Sequence, residues 1–289
     1  MTSNVFSTPM DAGREPVIKE FLNKRGFEFT TVNHAFWKAQ HAGISIIFYK
    51  SGKLVIQGKG AVDFAHEFLE IPDQNQGLEH ITNINAWIGA DEAGKGDFFG
   101  PLVVAAVHIT KKDVRELVML QVQDSKRMTD KKITQIAEKI RQKFDYALKI
   151  IEPGEYNRIY PQYNNLNKLL ARAHGEVISR LLKKHTSDAV LIDKFADESL
   201  IENELRSKTR TKLVQIERAE INPAVAAAAI LARSSFVEVL TRISQKYNIV
   251  LPKGASEQVV SSGKEFVRAH GKSKLENVAK LHFKTVNKL

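Results

Sequence analysis

Two neighbouring carboxylates stand at the end of a short apolar run. Trp87 to Ala90 leads directly into Asp91 and Glu92, and a segment with three glycines follows. Leu102 to Ile109 then has the composition of a second buried strand. The stretch therefore predicts a hairpin with acids at its tip, where carboxylate oxygens are suited to holding a divalent cation.

Adjacent residues on a regular strand point to opposite faces of the sheet. Asp91 and Glu92 are therefore expected to share one site only if the backbone turns directly after Asp91. The glycines that follow permit such a turn and let the backbone approach a ligand closely. An ordinary acidic turn is the alternative, but the crowding of three glycines and further charges into ten residues favours a functional site.

Residues 89–95 also fit most of the phosphate-binding P-loop pattern G-x-x-x-x-G-K. The fit fails in three places. Gly96 stands where a magnesium-binding Ser or Thr is needed, two carboxylates would face the phosphates, and Pro101 with a strand-like run follows in place of a helix. A nucleoside triphosphatase remains a minor alternative.

A second pair of carboxylates follows another short apolar run. Ala189 to Ile192 predicts a buried strand that ends at Asp193, and Asp197 comes four residues later. Ligands of α/β sheets bind outside the carboxyl ends of the strands. Both side chains could therefore return to the pocket of the hairpin, although a pair of solvated turn acids is the alternative.

Four acids at or just past predicted strand ends indicate magnesium chemistry. Magnesium prefers oxygen ligands and is commonly shared between a few carboxylates and a phosphate. Two such ions can activate water and stabilise the leaving oxygen in phosphodiester hydrolysis. Nucleophilic catalysis has less support, because the sequence contains no cysteine and no G-x-S-x-G pattern. His174 and His282 are expected to pack or to form hydrogen bonds, although either could assist proton transfer or product release.

The charge is unevenly distributed along the chain. Of the net charge of +10, residues 1–72 carry +1, residues 73–79 carry −2 and residues 80–289 carry +11. Acids inside a basic domain suggest a metal site whose surroundings attract a polyanion, although a lysine-rich solvated surface would give the same charge. Four basic residues alternate in one segment and would form either a phosphate-tracking stripe or an exposed edge. They are Arg206, Lys208, Arg210 and Lys212.

The patterning divides the 289 residues into two unequal domains. Residues 1–13 look disordered, and the rest of 1–72 predicts a small α+β domain with an antiparallel sheet. Residues 73–79 are polar and rich in breakers, and we interpret them as a linker. In residues 80–289, strands form a hairpin series and then alternate with helices, which predicts an α/β mixed sheet with covering helices.

Neither a signal peptide nor a membrane span is expected. Residues 1–15 contain no apolar segment, and the apolar run Ala224–Ala232 is too short to cross a bilayer. The lack of cysteine fits a reducing compartment. We therefore expect a soluble cytoplasmic protein that acts as a monomer and has no membrane partner.

Five segments resemble the type 2 ribonucleases H, and most closely their bacterial HIII branch. The resemblance runs through most of residues 80–289, and its motifs are specific in order and spacing. The segments are Asp-Glu-Ala-Gly-Lys-Gly-Asp-Phe-Phe-Gly-Pro-Leu (91–102), Asp124-Ser125-Lys126, Asn165-Leu166-Asn167 before His174, Ile192-Asp193-Lys194-Phe195, and Ala226-Ala227-Ala228-Ala229-Ile230-Leu231-Ala232-Arg233.

This resemblance implies an RNase H-like fold and a magnesium- or manganese-dependent endonuclease. Such an enzyme cuts the RNA strand of RNA/DNA hybrids by a two-metal-ion mechanism and leaves 3′-hydroxyl and 5′-phosphate ends. The family's catalytic and metal-binding carboxylates are carried over to Asp91, Glu92, Asp193 and Asp197. Its substrate contacts are carried over to Gly94, Lys95, Gly96, Ser125 and Lys126, with the Gly-Lys-Gly backbone assigned to the 2′-hydroxyls. The N-terminal domain resembles the family's TBP-like domain, which helps to grip the hybrid.

Two features distinguish the HIII branch from its HII sibling. The glycine segment contains Gly-Lys-Gly where HII has Gly-Arg-Gly. HII also places its fourth carboxylate in the alanine-rich helix, at a position that aligns with Val237, and Glu238 is one residue away. The resemblance to HIII favours Asp197 as the fourth ligand, with Glu238 as the alternative.

Overall fold

The computed structural model describes residues 4–61, 64–65, 84–120, 122, 128–194, 198–205, 211–216 and 219–289. The chain divides into two compact units, residues 1–74 and 75–289. The predicted linker, residues 73–79, lies outside the described residues.

The first unit is a five-stranded antiparallel sheet with a helix on one face. Its sheet order is β1-β5-β4-β3-β2. Ile18 and Leu22 of the helix enter one core with Trp37 and Phe48 of the sheet, and the Trp37 indole nitrogen donates a 2.7 Å hydrogen bond to Glu15. The elements are β1 (Val5–Pro9), α1 (Glu15–Lys24), β2 (Glu28–Thr30), β3 (Ala35–His41), β4 (Ile44–Tyr49) and β5 (Lys53–Gln57).

The prediction that residues 1–13 are disordered is wrong for the residues that the structure describes there, which begin at residue 4. Val5–Pro9 forms an edge strand that pairs antiparallel with β5, and Val5 lies opposite Gln57. Phe6 is buried beneath this pairing. This segment has only five residues and one large inward-facing side chain, so its own sequence favours a strand only weakly. Its hydrogen bonds to β5, which is distant in sequence, decide its conformation.

The second unit contains a mixed sheet of order β10-β9-β6-β7-β8. Strands β6, β9 and β10 run parallel, whereas β6, β7 and β8 form an antiparallel series. This arrangement confirms the predicted mixed α/β fold. The strands are β6 (Ala86–Ala93), β7 (Leu102–Thr110), β8 (Tyr146–Ile151), β9 (Ala189–Asp193) and β10 (Lys212–Ile216).

Helices cover both faces of this sheet. One face packs with α4, α5 and α6, and the other packs with α2, α3, α7 and α8. Thr129 is the N-cap of α3, and its side chain accepts a hydrogen bond from the Lys132 amide. The helices are α2 (Val114–Met119), α3 (Asp130–Lys143), α4 (Pro153–Tyr163), α5 (Leu166–Leu182), α6 (Glu198–Leu205), α7 (Pro223–Tyr247) and α8 (Glu257–His270).

Helix α7 lies directly against β6, the strand that carries the first two acids. A Cβ atom at Gly89 would come within 2.2 Å of the Val225 amide nitrogen, so only glycine permits this approach. The buried Asn222 side chain caps α7 and also accepts a 3.0 Å hydrogen bond from the Trp87 indole. By length and hydropathy α7 could cross a bilayer, but 72% of its most apolar window is buried within the unit, as in a core helix.

Candidate active site

Strand β6 carries both acids of the first pair within regular backbone. The expected turn directly after Asp91 is wrong, because β6 pairs with β7 as far as Ala93. Asp91 and Glu92 therefore begin on opposite faces of the sheet. The Glu92 side chain lies on the same face as Ile88 and Ala90, which pack with α5. The Asp91 side chain lies on the opposite face, which packs with α7.

Asp91 and Asp193 occupy neighbouring positions on one face of the sheet. Strands β6 and β9 are parallel, and Ala90 pairs with Ile192, so the next residue on each strand is an aspartate. Neighbouring strands are about 4.8 Å apart. The structure thus places Asp193 next to Asp91 through strand register, 102 residues apart in sequence.

A short 3₁₀ helix, Ala219–Ile221, closes this face of the site. The Ala219 amide donates a 3.2 Å hydrogen bond to Asp193 Oδ1. Glu220 follows directly, and its charge acts on Asp91. Glu220 was not among the predicted site residues, because no motif marks it and only the folded chain brings it to the acids, although strand β10 ends at Ile216.

The pKa of Asp91 is raised well above its usual value. Burial is the largest cause, and the negative charge of Glu92 is the next. Asp193 and Glu220 raise it further, against a lowering hydrogen bond from the Glu92 amide. This carboxyl therefore lies in a field of negative charge that a cation would relieve.

Glu92 has the opposite environment. Burial pushes its pKa upward, but a hydrogen bond and charge from His174 and the charge of Lys95 outweigh burial and lower the pKa. His174 Nε2, fully buried on α5, lies 3.1 Å from Glu92 Oε2, and Lys95 Nζ lies 3.4 Å from Oε1. Both oxygens of Glu92 are therefore held by a donor. The prediction that His174 packs or forms a hydrogen bond is confirmed.

The segment that joins β6 to β7, residues 94–101, is called the glycine turn below. Gly94 has φ +88°, and a Cβ atom there would lie 2.1 Å from the Pro101 carbonyl oxygen. Gly96 is different, because a Cβ atom would meet nothing within 4 Å. Gly94 is thus needed for the fold of the turn, whereas Gly96 leaves open space beside Lys95. The P-loop alternative is wrong, because strand β7 follows the turn.

Several predicted site residues lie outside the described part of the chain. They are Asp197, Ser125 and Lys126, and also Arg206, Lys208 and Arg210 of the basic stripe. Lys212 begins the edge strand β10 and is exposed. Glu238, the alternative fourth acid, is exposed on α7 and lies 3.9 Å from Arg141.

The donor set fits a hard divalent cation. Asp91, Glu92, Asp193 and Glu220 offer carboxylate oxygens only, the ligand type that Mg²⁺ and Mn²⁺ prefer. Burial and then the negative charges of its neighbours raise the pKa of Asp91, and such an ion would relieve the charge repulsion. Within the described ranges, however, no three acid or histidine side chains already stand in a metal-binding arrangement. The described residues of the site therefore offer ligands of the type that suits such an ion.

The sequence was also compared with known families and proteins. A family model described as ribonuclease HII matches residues 88–286. The chain is 39% identical to ribonuclease HIII of Chlamydia abortus over 98% of its length and 96% of that protein, and 39% identical to ribonuclease HIII of Protochlamydia amoebophila over 98% and 95%. The chain belongs to the ribonuclease HIII family. It is therefore an enzyme, a ribonuclease that hydrolyses phosphodiester bonds.

Solved ribonuclease HIII structures share the fold. The crystal structure of Bst-RNase HIII in complex with Mn²⁺ aligns with 98% of this chain and 97% of its own, at 27% identity and a TM-score of 0.70. Aquifex aeolicus RNase H3 aligns over 96% and 100%, at 27% identity and a TM-score of 0.59. Residues 17–79 match a second family model, described as a domain of unknown function.

Proposed function

We propose that this ribonuclease HIII is a metal-dependent endonuclease that hydrolyses the RNA strand of RNA/DNA hybrids. The observation that carries the proposal is the register of β6 and β9, which sets Asp91 beside Asp193 with Glu92 one residue away. The basic charge of the second unit supports a polyanionic substrate. Ribonucleases H are named for their action on such hybrids, and membership of the family supports the same substrate here.

Asp91, Glu92, Asp193 and Asp197 are the proposed ligands of two Mg²⁺ or Mn²⁺ ions. The repulsion among the described acids supports this role, as does the Mn²⁺ complex of Bst-RNase HIII. Such ions, when bound, would supply activation of water and stabilisation of the leaving oxygen. We propose that Glu220 contributes negative charge behind this set.

The remaining groups act by holding Glu92 and the substrate in place. His174 and Lys95 hold the two oxygens of Glu92.

In the proposed reaction, a water oxygen bonds to phosphorus and the bond from phosphorus to the 3′ oxygen breaks. The proton lost by water is balanced by the one gained at that oxygen, which gives 3′-hydroxyl and 5′-phosphate ends.

The RNA strand is proposed to lie along the glycine turn. The open space at Gly96 leaves room for a sugar to approach the backbone. Gly94, Lys95 and Gly96 would contact the 2′-hydroxyls, the group that distinguishes RNA from DNA. Ser125 and Lys126 would contact the same strand.

The first unit is proposed to be a TBP-like domain, residues 1–72, that grips the hybrid. One face of its sheet packs with α1, and the other is partly or fully exposed. That open face mixes aromatic, amide and basic side chains, a combination that binds nucleic acid. Its members on β3 and β4 are Phe36, Lys38, Gln40, Ser45, Ile47 and Tyr49.

Cleavage of an end-labelled RNA/DNA hybrid, with and without Mg²⁺ or Mn²⁺, tests the proposal. Duplex DNA and duplex DNA with a single ribonucleotide serve as controls. Metal-dependent cuts in the RNA strand of the hybrid, with the single-ribonucleotide duplex largely spared, are the expected result. Binding of the hybrid without cutting under any metal would instead show a non-catalytic hybrid-binding protein. We further propose that the enzyme is cytoplasmic and monomeric. Light scattering in solution would measure its molar mass and so test whether it is a monomer.

Asp193→Asn should abolish most turnover and leave hybrid binding intact. The amide keeps the size of the side chain but removes a negative ligand, and no phosphate contact is lost. The measurement is kcat in Mg²⁺ together with hybrid affinity in metal-free buffer. A near-normal kcat would show that Asp193 is not a ligand of the catalytic metal ions.

A further inference from the structure

The C-terminal segment places a lysine inside the protein, against the glycine turn. Lys280 is only 1% exposed. Its Nζ donates to the carbonyl oxygens of Gly100 at 2.7 Å and Pro101 at 3.3 Å, and it lies 3.5 Å from that of Phe99. The three donors of one ammonium group are thus directed at three consecutive carbonyls.

Main-chain bonds join the same two segments. The Lys280 amide donates to the Phe98 carbonyl at 2.8 Å, and the Gly100 amide donates to the Val278 carbonyl at 2.9 Å. Phe99 and Ala279 form an isolated antiparallel bridge between these bonds. Residues 278–280 therefore act as a strap that pairs with the glycine turn like a short strand.

The strap is itself held by Asn157 of α4. The Asn157 amide group donates to the carbonyls of Glu276 and Ala279 at 2.9 and 2.8 Å. Its oxygen accepts a 2.9 Å hydrogen bond from the Leu281 amide. One side chain thus fixes the backbone on both sides of Lys280.

A contact chain leads from Lys280 to the residues beside the acids. The Pro101 carbonyl that Lys280 holds is the atom that a side chain at Gly94 would strike. Gly94 begins the segment that bears Lys95 and Gly96, two residues after Glu92. Movement of the Pro101 carbonyl would therefore move the backbone proposed to contact RNA.

Core packing alone does not explain a lysine at this position. Burial of an ammonium group is costly, and an apolar side chain of similar length would fill the same volume without that cost. What an apolar side chain cannot supply is charge-assisted hydrogen bonding to three carbonyls. The role of Lys280 is therefore to fix the positions of the carbonyl groups of Phe99, Gly100 and Pro101.

We propose that Lys280 is a positioning residue that holds the glycine turn in the conformation that selects RNA. The inference rests on the proposed function, because it assigns the selectivity of that site. Among the described residues, the Lys280 side chain donates hydrogen bonds to the glycine turn and not to Asp91, Glu92 or Asp193, so Lys280 acts through Pro101 and Gly94. Its loss should therefore reduce recognition of the hybrid more than binding of duplex DNA.

The test compares Lys280→Met with Lys284→Met, a change of an exposed lysine four residues later on the same segment. Affinities for an RNA/DNA hybrid and for duplex DNA of equal sequence are measured by fluorescence anisotropy in metal-free buffer at pH 6, where the Lys280 side chain is an ammonium group. We expect Lys280→Met to lower the ratio of hybrid to DNA affinity about tenfold and kcat/KM on the hybrid by about tenfold to hundredfold. Lys284→Met should leave the ratio unchanged.

Equal loss of affinity for hybrid and DNA, or no loss at all, would overturn the inference. If circular dichroism shows that Lys280→Met does not fold, Asn157→Ala is tested in its place. This change removes the side-chain hydrogen bonds that hold the strap and leaves Lys280 itself unchanged. It should lower the same ratio, and an unchanged ratio in a folded Asn157→Ala protein would overturn the inference. A wild-type protein that neither prefers nor cuts the hybrid would instead overturn the proposed function.

Discussion

At the scale of single residues, the site separates two carboxylates that are adjacent in sequence. Burial and then the charges of neighbouring acids raise the pKa of Asp91, whereas His174 and Lys95 outweigh burial and lower the pKa of Glu92. Environments that push two pKa values apart give two similar groups different roles. Glu92 is the better fixed of the two, since both its oxygens have donors.

His174→Ala should lower kcat by roughly ten- to hundredfold and leave hybrid binding unchanged. The side chain orients a proposed metal ligand, and loss of such a partner costs about that much. His174→Gln is the matched control, because its amide can still donate to Glu92, and it should recover part of the rate. Steady-state kinetics in Mg²⁺ measure both. A full rate in the alanine variant would show that Glu92 needs no partner.

Lys280 makes stability depend on pH in a defined window. Burial lowers its pKa to about 7, against the raising charge of Asp97, while an unfolded lysine titrates at 10.5. Between these values the unfolded state holds more protons, so stability rises with pH, by up to about 1.4 kcal/mol per unit. Below pH 7 both states are protonated and this contribution is constant.

The comparison of wild type with Lys280→Met isolates this contribution. Urea unfolding at pH 7, 8 and 9 should show stability rising more steeply with pH in the wild type than in the variant. The other titratable groups facing Lys280, namely Asp97, Tyr156 and His282, are present in both proteins. Parallel pH profiles would show that the folded ammonium is not destabilised.

At the scale of elements, two helix N-caps should differ in their contribution to stability. Asn222 caps α7 from a fully buried position and also accepts from Trp87, whereas Thr129 caps α3 near the surface. Asn222→Ala should cost roughly 2–4 kcal/mol, because a buried indole N–H loses its acceptor as well. Thr129→Ala should cost about 1 kcal/mol. Equal losses in urea unfolding would contradict this difference.

At the scale of the whole molecule, charge and recognition divide between two units. Residues 80–289 of the second unit carry the acids and a net charge of +11, and the first unit carries an open sheet face with a charge of +1 over residues 1–72. The first unit has little net charge to attract phosphates, and its open face offers aromatic and polar side chains.

Deletion of residues 1–72 should raise KM for the hybrid and leave kcat nearly unchanged. The proposed catalytic groups all belong to the second unit. The rate of the chemical step should therefore be kept, while the affinity for the hybrid falls. Steady-state cleavage by the full and shortened chains gives both constants, with circular dichroism to show that the shortened chain is folded. An unchanged KM would count against a substrate-binding first unit.

Local patterns in the sequence determined most elements and the positions of three acids. Short apolar runs placed Asp91, Glu92 and Asp193 at or just past predicted strand ends, and the alternation of strands with helices predicted a mixed sheet with covering helices. These signals are local, because the face that a residue occupies on its own strand or helix depends on its near neighbours. The mixed α/β fold and the family were therefore predictable, and both are confirmed.

Tertiary structure alone decided which groups meet. Pairing with β5 makes a strand of Val5–Pro9, and the register of β6 against β9 sets Asp91 beside Asp193. The chain also brings Glu220 to the acids and Lys280 to the glycine turn from distant segments. The free energy of such contacts comes from burial and hydrogen bonds between segments far apart in sequence, so no single stretch encodes it.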